Sequence, residues 1–343
     1  MKAVYVERPG GPEALVHGER PDPVPGPGDV IVRVRATSVN FADQRLRSGV
    51  SPTSGLPRIL GLDVVGEIAE LGQDVRGFQV GERVAVSNRV KCQACRRCLV
   101  GQDEFCENQL RIGADLDGGC AEYCRVPAVN LERIPEGMEF EEAACFPLAG
   151  HTAWHCLTVR GGLRPWEVVL IGSVGSGVGS HALQFAKRLG ARVIATAGSD
   201  WKLDKARSLG ADEVINYATH PDFGARVRDL TGGRGVDLVI DSVGPSMLQE
   251  NLLSLKAGGR LVITGTSSGD TGSLSLLDLQ TRPLTITGSG GRSHRSFSEM
   301  MQFVRVNRLR GIVHRVFDLA NLAEAHRQLA GRDLFGKLVV RVP

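Results

Sequence analysis

No apolar run in the 343-residue chain approaches the ~20 residues that a membrane-spanning helix needs, so a spanning protein is excluded. Charge of one sign is not in excess either. The formal net charge is +3 with both signs mixed throughout, which leaves no basic face for nucleic acid. Lysine is scarce, seven of the 41 basic residues, but the arginines are scattered, so the skew reads as codon bias rather than phosphate binding. Cysteine is missing outside the stretch Cys92–Cys156, where all eight lie. A disulfide-stapled secreted scaffold spreads its cysteines along the chain; this clustering points to a metal site plus bystanders. No internal repeat or low-complexity tract occurs. The opening Met1-Lys-Ala-Val-Tyr-Val enters a strand-like pattern at once, so no signal peptide is expected and a cytoplasmic protein is.

What is present is ordinary globular composition, 42% hydrophobic and 23% charged, in a chain long enough for two domains. The first third reads as short β segments, such as Val30–Ala36, Val64–Leu71 and Glu82–Ser87, punctuated by Pro and Gly. From about Glu167 the rhythm changes. Strands are expected at Glu167–Gly172, Arg192–Thr196, Glu213–Tyr217, Asp237–Asp241, Arg260–Gly265 and Leu284–Gly288. Helical spacing fills most of the gaps, over Gly179–Leu189, Trp201–Leu209, Phe223–Leu230 and Met247–Leu255. Six strands with helical crossovers describe an α/β, doubly wound parallel sheet of the dinucleotide-binding (Rossmann) kind. The last ~50 residues leave that rhythm, with a helix at Phe297–Asn307 and a closing strand Leu338–Arg341, and are expected to return to the first domain.

The first strand of that sheet runs into Gly172-Ser-Val-Gly175-Ser-Gly177-Val-Gly179 and then a helix. Such glycines let backbone approach a pyrophosphate held against the helix N-terminus. The second strand ends Ala197-Gly198-Ser199, followed by Asp200, Trp201 and Lys202. Sheets that select NADH usually place an acid at the strand end; here small residues, a hydroxyl and a lysine favour NADPH. The plainer alternative makes Asp200 a helix cap and Lys202 a solvated charge.

Cys92, Cys95, Cys98 and Cys106 fall within 15 residues, a spacing that short loops can close into a tetrahedral thiolate shell. Four cysteines leave no open position for water, so one structural zinc is expected, giving folding energy and no catalysis. An iron–sulfur cluster and a redox switch are the competing readings. The remaining cysteines, Cys120, Cys124, Cys145 and Cys156, read as small core residues.

Taken in order, Pro25-Gly-Pro-Gly-Asp-Val-Ile-Val-Arg-Val, Gly61-Leu-Asp-Val-Val-Gly66, Phe78-Gln-Val-Gly-Glu-Arg-Val84, the cysteine lobe, Gly118-Gly-Cys-Ala-Glu-Tyr123, Leu148–Trp154, Val214-Ile-Asn-Tyr217 and Asp241-Ser-Val-Gly244 resemble the medium-chain dehydrogenase/reductase superfamily across essentially the whole chain. The resemblance implies a GroES-like, β-rich catalytic domain over residues 1–128 with the zinc lobe at about 90–110. A Rossmann domain binding NADP would span 129–288, and 289–343 would return to the catalytic domain, with the active site between the two. Zinc alcohol dehydrogenases of the superfamily hold a second, catalytic zinc by Cys, His and Cys; the matching positions here are Asn40, Leu62 and Leu148, and leucine cannot ligate. Their relay hydroxyl and histidine fall on Ala42 and Arg45. His151, His155, Cys145 and Asp63 are the residues from which a rebuilt site would have to come.

Without a Lewis acid the hydride acceptor must already be electrophilic, as quinones and α,β-unsaturated carbonyls are. Ser38-Val-Asn40-Phe-Ala-Asp43 and Leu62-Asp63 resemble the quinone oxidoreductase/enone reductase branch. By that resemblance Thr152 packs on the nicotinamide ring, and Asn40 hydrogen-bonds carboxamide, ribose or substrate carbonyl. Asp43 either braces its loop or transfers a proton. Some enone reductases of the superfamily place a tyrosine in the segment matching Arg47–Pro52; this chain has none there, so solvent is the expected proton source. The cofactor shell implied is Ser176, Gly177, Val178, Gly179, Gly198, Ser199, Lys202, Tyr217, Ser242, Gly265 and Thr266. Phe335-Gly-Lys337 resembles a family motif facing the cleft, or is simply a hairpin closing the domain. The expectation is an NADPH-dependent reductase of a small quinone or enone, homodimeric through Leu284–Gly288. The alternatives are a zinc-dependent alcohol or carbonyl dehydrogenase with unusual ligands, and a non-catalytic NADPH-binding sensor.

Overall fold

The computed structural model describes residues 1–343, which divide into two compact units, Met1–His151 with Gly291–Pro343, and Thr152–Gly290. No helix is long and apolar enough to cross a membrane.

The first unit is β-rich because its segments are short runs of β-branched and other apolar residues, many buried at consecutive positions. The longest strand, Asp29–Val39, buries Val30, Val32 and Val34 while Arg33 points outward. It pairs antiparallel with Val64–Leu71, with Tyr123–Pro127 along its first half, and with Lys337–Arg341 along its second. Arg83–Val86 and Leu131–Arg133 extend the sheet at one edge and Val313–Asp318 at the other. At Gly66 the approach of Arg33 is so close that a Cβ would lie 2.0 Å from its carbonyl oxygen, so glycine alone fits. A small sheet of Leu15–Glu19, Lys2–Val6 and Arg58–Ile59 completes the unit's strands that bear on the core.

Residues 129–151, grouped with the Rossmann segment on sequence grounds, lie in this first unit. The reason is pairing at a distance: Leu131–Arg133 takes its partner from Arg83–Val86. The late helix spans His294–Val306, starting three residues ahead of its expected place. Ser293 sets that start, its Oγ accepting from the Ser296 N–H at 3.0 Å.

The second unit carries six strands: β1 (Val168–Ile171), β2 (Arg192–Ala197), β3 (Glu213–Asn216), β4 (Val236–Asp241), β5 (Leu255–Ile263) and β6 (Thr285–Gly288). All neighbours are parallel and the order is 3-2-1-4-5-6, the doubly wound arrangement that the strand–helix rhythm predicts. The crossovers include α1 (Gly177–Arg188), α2 (Asp200–Ser208), α3 (Phe223–Leu230) and α4 (Leu248–Ser254). Leu170, Ile194, Val239 and Leu261 are fully buried at the centre, as a sheet covered on both faces requires. The most displaced strand boundary is that of β5, which begins at Leu255 instead of Arg260, because Leu255 pairs with Val236 ahead of a register shift.

Candidate functional site

In the second unit the order reversal falls between β1 and β4, and a hollow opens at the carboxyl ends of these strands. Gly172, Ser173, Thr196, Tyr217 and Asp241 line it. Ser176 caps α1, its Oγ accepting from the Gly179 N–H at 3.0 Å, which leaves the Gly177 and Val178 N–H groups at the open end of the helix. A Cβ on Gly179 would lie 2.5 Å from the Ser173 carbonyl oxygen, so the helix packs on the turn only with glycine there. This cradle, made of backbone, fits the pyrophosphate of a dinucleotide.

The end of β2 has more structure than its sequence announces. Gly198 lies under the Tyr217 ring, where a Cβ would come within 2.9 Å of Cε2. Ser199 stands at the N-cap of α2, yet its Oγ is buried and makes no hydrogen bond, which fits a ligand oxygen. Asp200 is tied by Asn216, whose Nδ2 donates to Oδ1 at 2.7 Å. Lys202 lies 5.4 Å from the Trp201 ring centre. Beyond β4 and β5 the backbones touch: a Cβ on Gly265 would sit 2.4 Å from the Ser242 carbonyl oxygen. Asp241 holds that turn by accepting from the N–H groups of Val243 and Gly244, and burial pushes its carboxyl up. Thr266 Oγ1 donates to Asp270 at 2.8 Å. Thr152 is buried at the start of this unit.

The first unit holds a buried polar network around Asn40. Asp43 Oδ2 accepts from the Asn40 N–H at 2.9 Å and from its Nδ2 at 3.1 Å, and Oδ1 accepts from the Leu62 N–H at 3.2 Å. Asp63 Oδ2 accepts from Asn40 Nδ2 at 2.7 Å and from Ser38 Oγ, while Oδ1 accepts from the Leu148 N–H at 2.7 Å. Lys337 Nζ donates to the Asn40 amide oxygen and to the Val39 carbonyl at 3.0 Å. Burial first, and the neighbouring Asp63 second, push the Asp43 carboxyl up to about 6. The side chain of Leu62 joins a buried apolar cluster with Val6, Leu46, Leu60 and Ala114, against which Leu148 packs. Both hydrogens of Asn40 Nδ2 are therefore committed within the chain, and Asp43 stands as a cap on two backbone N–H groups. Of the other residues from which a metal site would be rebuilt, His151 Nε2 lies 2.7 Å from Ser296 Oγ, and burial raises the Cys145 thiol.

The sequence offers Asp63 only as a possible metal ligand, Ser38 only as part of a motif and Lys337 only through the Phe335-Gly-Lys337 motif; the structure joins all three to Asn40 in one hydrogen-bonded network. The available signal for Lys337 is a lysine heading an otherwise apolar strand, Leu-Val-Val, in a chain with few lysines.

The sulfurs of Cys92, Cys95, Cys98 and Cys106 all lie within 4.8 Å of one another. A tetrahedron with ~2.3 Å metal–sulfur bonds has edges of about 3.8 Å, so the set fits zinc. Gln93, at φ +57°, makes the tight turn that points the Cys95 N–H at Cys92 Sγ, 3.3 Å away. Backbone N–H groups of Ala94 and Cys95 hold the Cys92 thiol down, to about 6, which favours the ligating thiolate. Cys120, Cys124, Cys145 and Cys156 are buried in the core.

A dinucleotide cradle on a 3-2-1-4-5-6 sheet, carried with a β-rich unit bearing a four-thiol lobe, defines an oxidoreductase of the zinc-type, nicotinamide-using class. The model of the zinc-binding dehydrogenase family matches residues 177–305, and that of the alcohol dehydrogenase GroES-like domain matches residues 26–136. The chain is 30% identical over 342 residues to an acryloyl-coenzyme A reductase of Sulfurisphaera tokodaii, covering 99% of this chain and 100% of the relative. It is 33% identical over 341 residues to a quinone oxidoreductase of Pseudomonas aeruginosa, covering 96% of each. Among solved structures, an NAD-dependent alcohol dehydrogenase superposes with a TM-score of 0.96 at 41% identity over 100% of both chains. The chain belongs to the medium-chain dehydrogenase/reductase superfamily.

Proposed function

We propose that the protein is an NADPH-dependent reductase of quinones or α,β-unsaturated carbonyls that works without a catalytic metal, its single zinc being structural. The observation that carries this reading is the donor set at Asn40, Leu62 and Leu148. Two of the three side chains are hydrocarbon, and the amide of Asn40 is spent on Lys337, Asp43 and Asp63. Similarity to an acryloyl-coenzyme A reductase and a quinone oxidoreductase supports the acceptor class.

Bound NADPH supplies the hydride. In an enone the hydride adds to the β-carbon and a proton from water adds to the α-carbon; in a quinone the same two additions give the hydroquinone. The products are the reduced acceptor and NADP⁺. In this reading the Ser176–Gly179 turn holds the pyrophosphate, Ser199, Lys202 and Tyr217 hold the 2′-phosphate, and Ser242, Gly265 and Thr266 flank the cofactor. Thr152 presents one face of the nicotinamide. Asn40 and Asp43, which cap each other at the start of the helix Phe41–Arg47, keep the strand-to-helix junction in one shape. Copies of the chain pair through β6, the edge strand of the sheet, which a gel-filtration mass of two chains would support and a mass of 36.8 kDa would refute.

The test is NADPH oxidation followed by absorbance against quinones, enones, aldehydes and ketones, with and without chelator and with NADH as control. Turnover of quinones or enones that ignores chelation is expected. The 41% identity to an NAD-dependent alcohol dehydrogenase favours a second reading, oxidation of an alcohol with NAD⁺. Two zinc ions per chain and carbonyl turnover lost on chelation would establish that reading instead.

A further inference from the structure

One member of the buried network owes its place to sheet register. Lys337 opens the closing strand, and the pairing of Leu338 with Val39 sets it opposite Asn40. Gly336 ahead of it has φ +93°, and a Cβ there would lie 2.2 Å from the Ile312 carbonyl oxygen, so only glycine makes the turn that feeds the strand. The Lys337 side chain is 4% exposed, and its ammonium lies 3.8 Å from Asp63 Oδ2, itself 1% exposed.

Lysine only donates and an ionised carboxylate only accepts. The Asn40 amide between them therefore has one orientation, Oδ1 toward Lys337 and Nδ2 toward Asp43 and Asp63. Turned over, it would set donor against donor on one side and acceptor against acceptors on the other. The charge count points the same way. Two carboxylates and one ammonium share the site, and the other titratable groups that bear on it are the thiols of Cys120 and Cys145, which burial pushes up and keeps neutral. Lys337 is the sole cation in that set.

We propose that Lys337 is a positioning residue for the reductase reaction: its ammonium locks the Asn40 amide and balances the paired carboxylates, fixing the strand-to-helix junction at Asn40 during turnover. The inference rests on the metal-free reductase reading above. Lys337 also lowers the Asp43 carboxyl from where burial and Asp63 would leave it, which gives the role a signature in pH.

The experiment uses Lys337→Gln in the full chain, which keeps N–H donors for Val39 and Asn40 and removes the charge. Zinc content and NADPH affinity stay at wild-type values. The kcat falls by about tenfold or more with little change in KM, and the acid limb of kcat/KM moves to higher pH. Lys337→Arg, which keeps the charge, returns the limb to its wild-type pH. A Lys337→Gln protein with wild-type kcat and an unmoved limb overturns the proposal and leaves the reductase reading standing. Loss of zinc or of NADPH binding along with activity also overturns it, since the residue is then structural. A wild-type protein that oxidises NADPH with no quinone or enone overturns the reductase reading itself, before any variant is made.

Discussion

Lys337 and Asn40 lie 297 residues apart in the chain and meet ammonium to amide oxygen across an antiparallel strand pair. Their contact joins the two sequence stretches that make up the first unit. Around it, backbone N–H groups of Leu62 and Leu148 donate to the carboxylates of Asp43 and Asp63. The hydrocarbon of the same two leucines belongs to an apolar cluster. Leu62 and Leu148 are thus used twice, for backbone hydrogen bonds and for packing.

Asp43 makes stability depend on pH. Its pKa is about 6 in the folded chain against an ordinary 3.8, so between those values the folded state binds more protons than the unfolded one. The stability that the protonated carboxyl confers is full below about pH 4 and is lost as pH rises through 6. Asp43→Asn removes this titration while setting an amide against the Asn40 and Leu62 donors. The wild-type advantage over that variant should shrink by the order of 2–3 kcal/mol between pH 4 and pH 7, read by urea unfolding. A difference that stays constant with pH would mean that Asp43 does not titrate in this range.

Gly179→Ala tests the cradle. The added methyl would meet the Ser173 carbonyl oxygen and Val174 Cα, at 2.5 and 2.8 Å, and neither can swing aside. We expect a loss of about 1–3 kcal/mol in stability and at least a tenfold loss in NADPH affinity, about 1.4 kcal/mol. Gly331→Ala, at a helix end with open space around it, should leave both unchanged. Calorimetry and a fluorescence titration measure the two quantities.

What could be read in advance was local. Strand and helix periods placed nearly every element of the second unit within a few residues, and the cysteine lobe was legible because its four thiols are close in sequence. Pairing between distant strands was not legible. The short strand Leu131–Arg133 joins Arg83–Val86, and no local period says so. The spent hydrogen bonds of Asn40 were hidden for the same reason, since Asp63 and Lys337 reach it only through sheet register. The sequence offers Asp200 as a helix cap, whereas its partner Asn216 comes from the neighbouring strand.

The lobe should carry one zinc per chain. Cys95→Ser breaks the set at the residue whose N–H also points to Cys92. Zinc content by atomic absorption should fall to near zero and the melting temperature should drop, because structural zinc contributes folding energy outright. Retention of the metal, with brown colour and iron in place of zinc, would support the iron–sulfur alternative.

Cofactor choice should respond to Lys202. Lys202→Ala should weaken NADPH binding by about tenfold, the order expected for one half-buried charge-assisted phosphate contact, and leave NADH binding nearly unchanged. Direct titration of both nucleotides distinguishes this from a merely solvated lysine, which would move neither.

The first unit is interrupted in sequence by the whole of the second. During synthesis, Asp29–Val39 leaves the ribosome 298 residues before Lys337 arrives to cover it. At 5–20 residues per second that is roughly 15–60 s with the Ala36–Val39 half of that strand lacking the closing strand. The contiguous second unit has every strand of its sheet in hand well before then. A nascent chain of this protein is therefore a finished nucleotide-binding unit tethered to a half-closed sheet, the state in which a chaperone is most needed. The Asn40–Lys337 contact is made last, so the buried network comes into being only as translation ends.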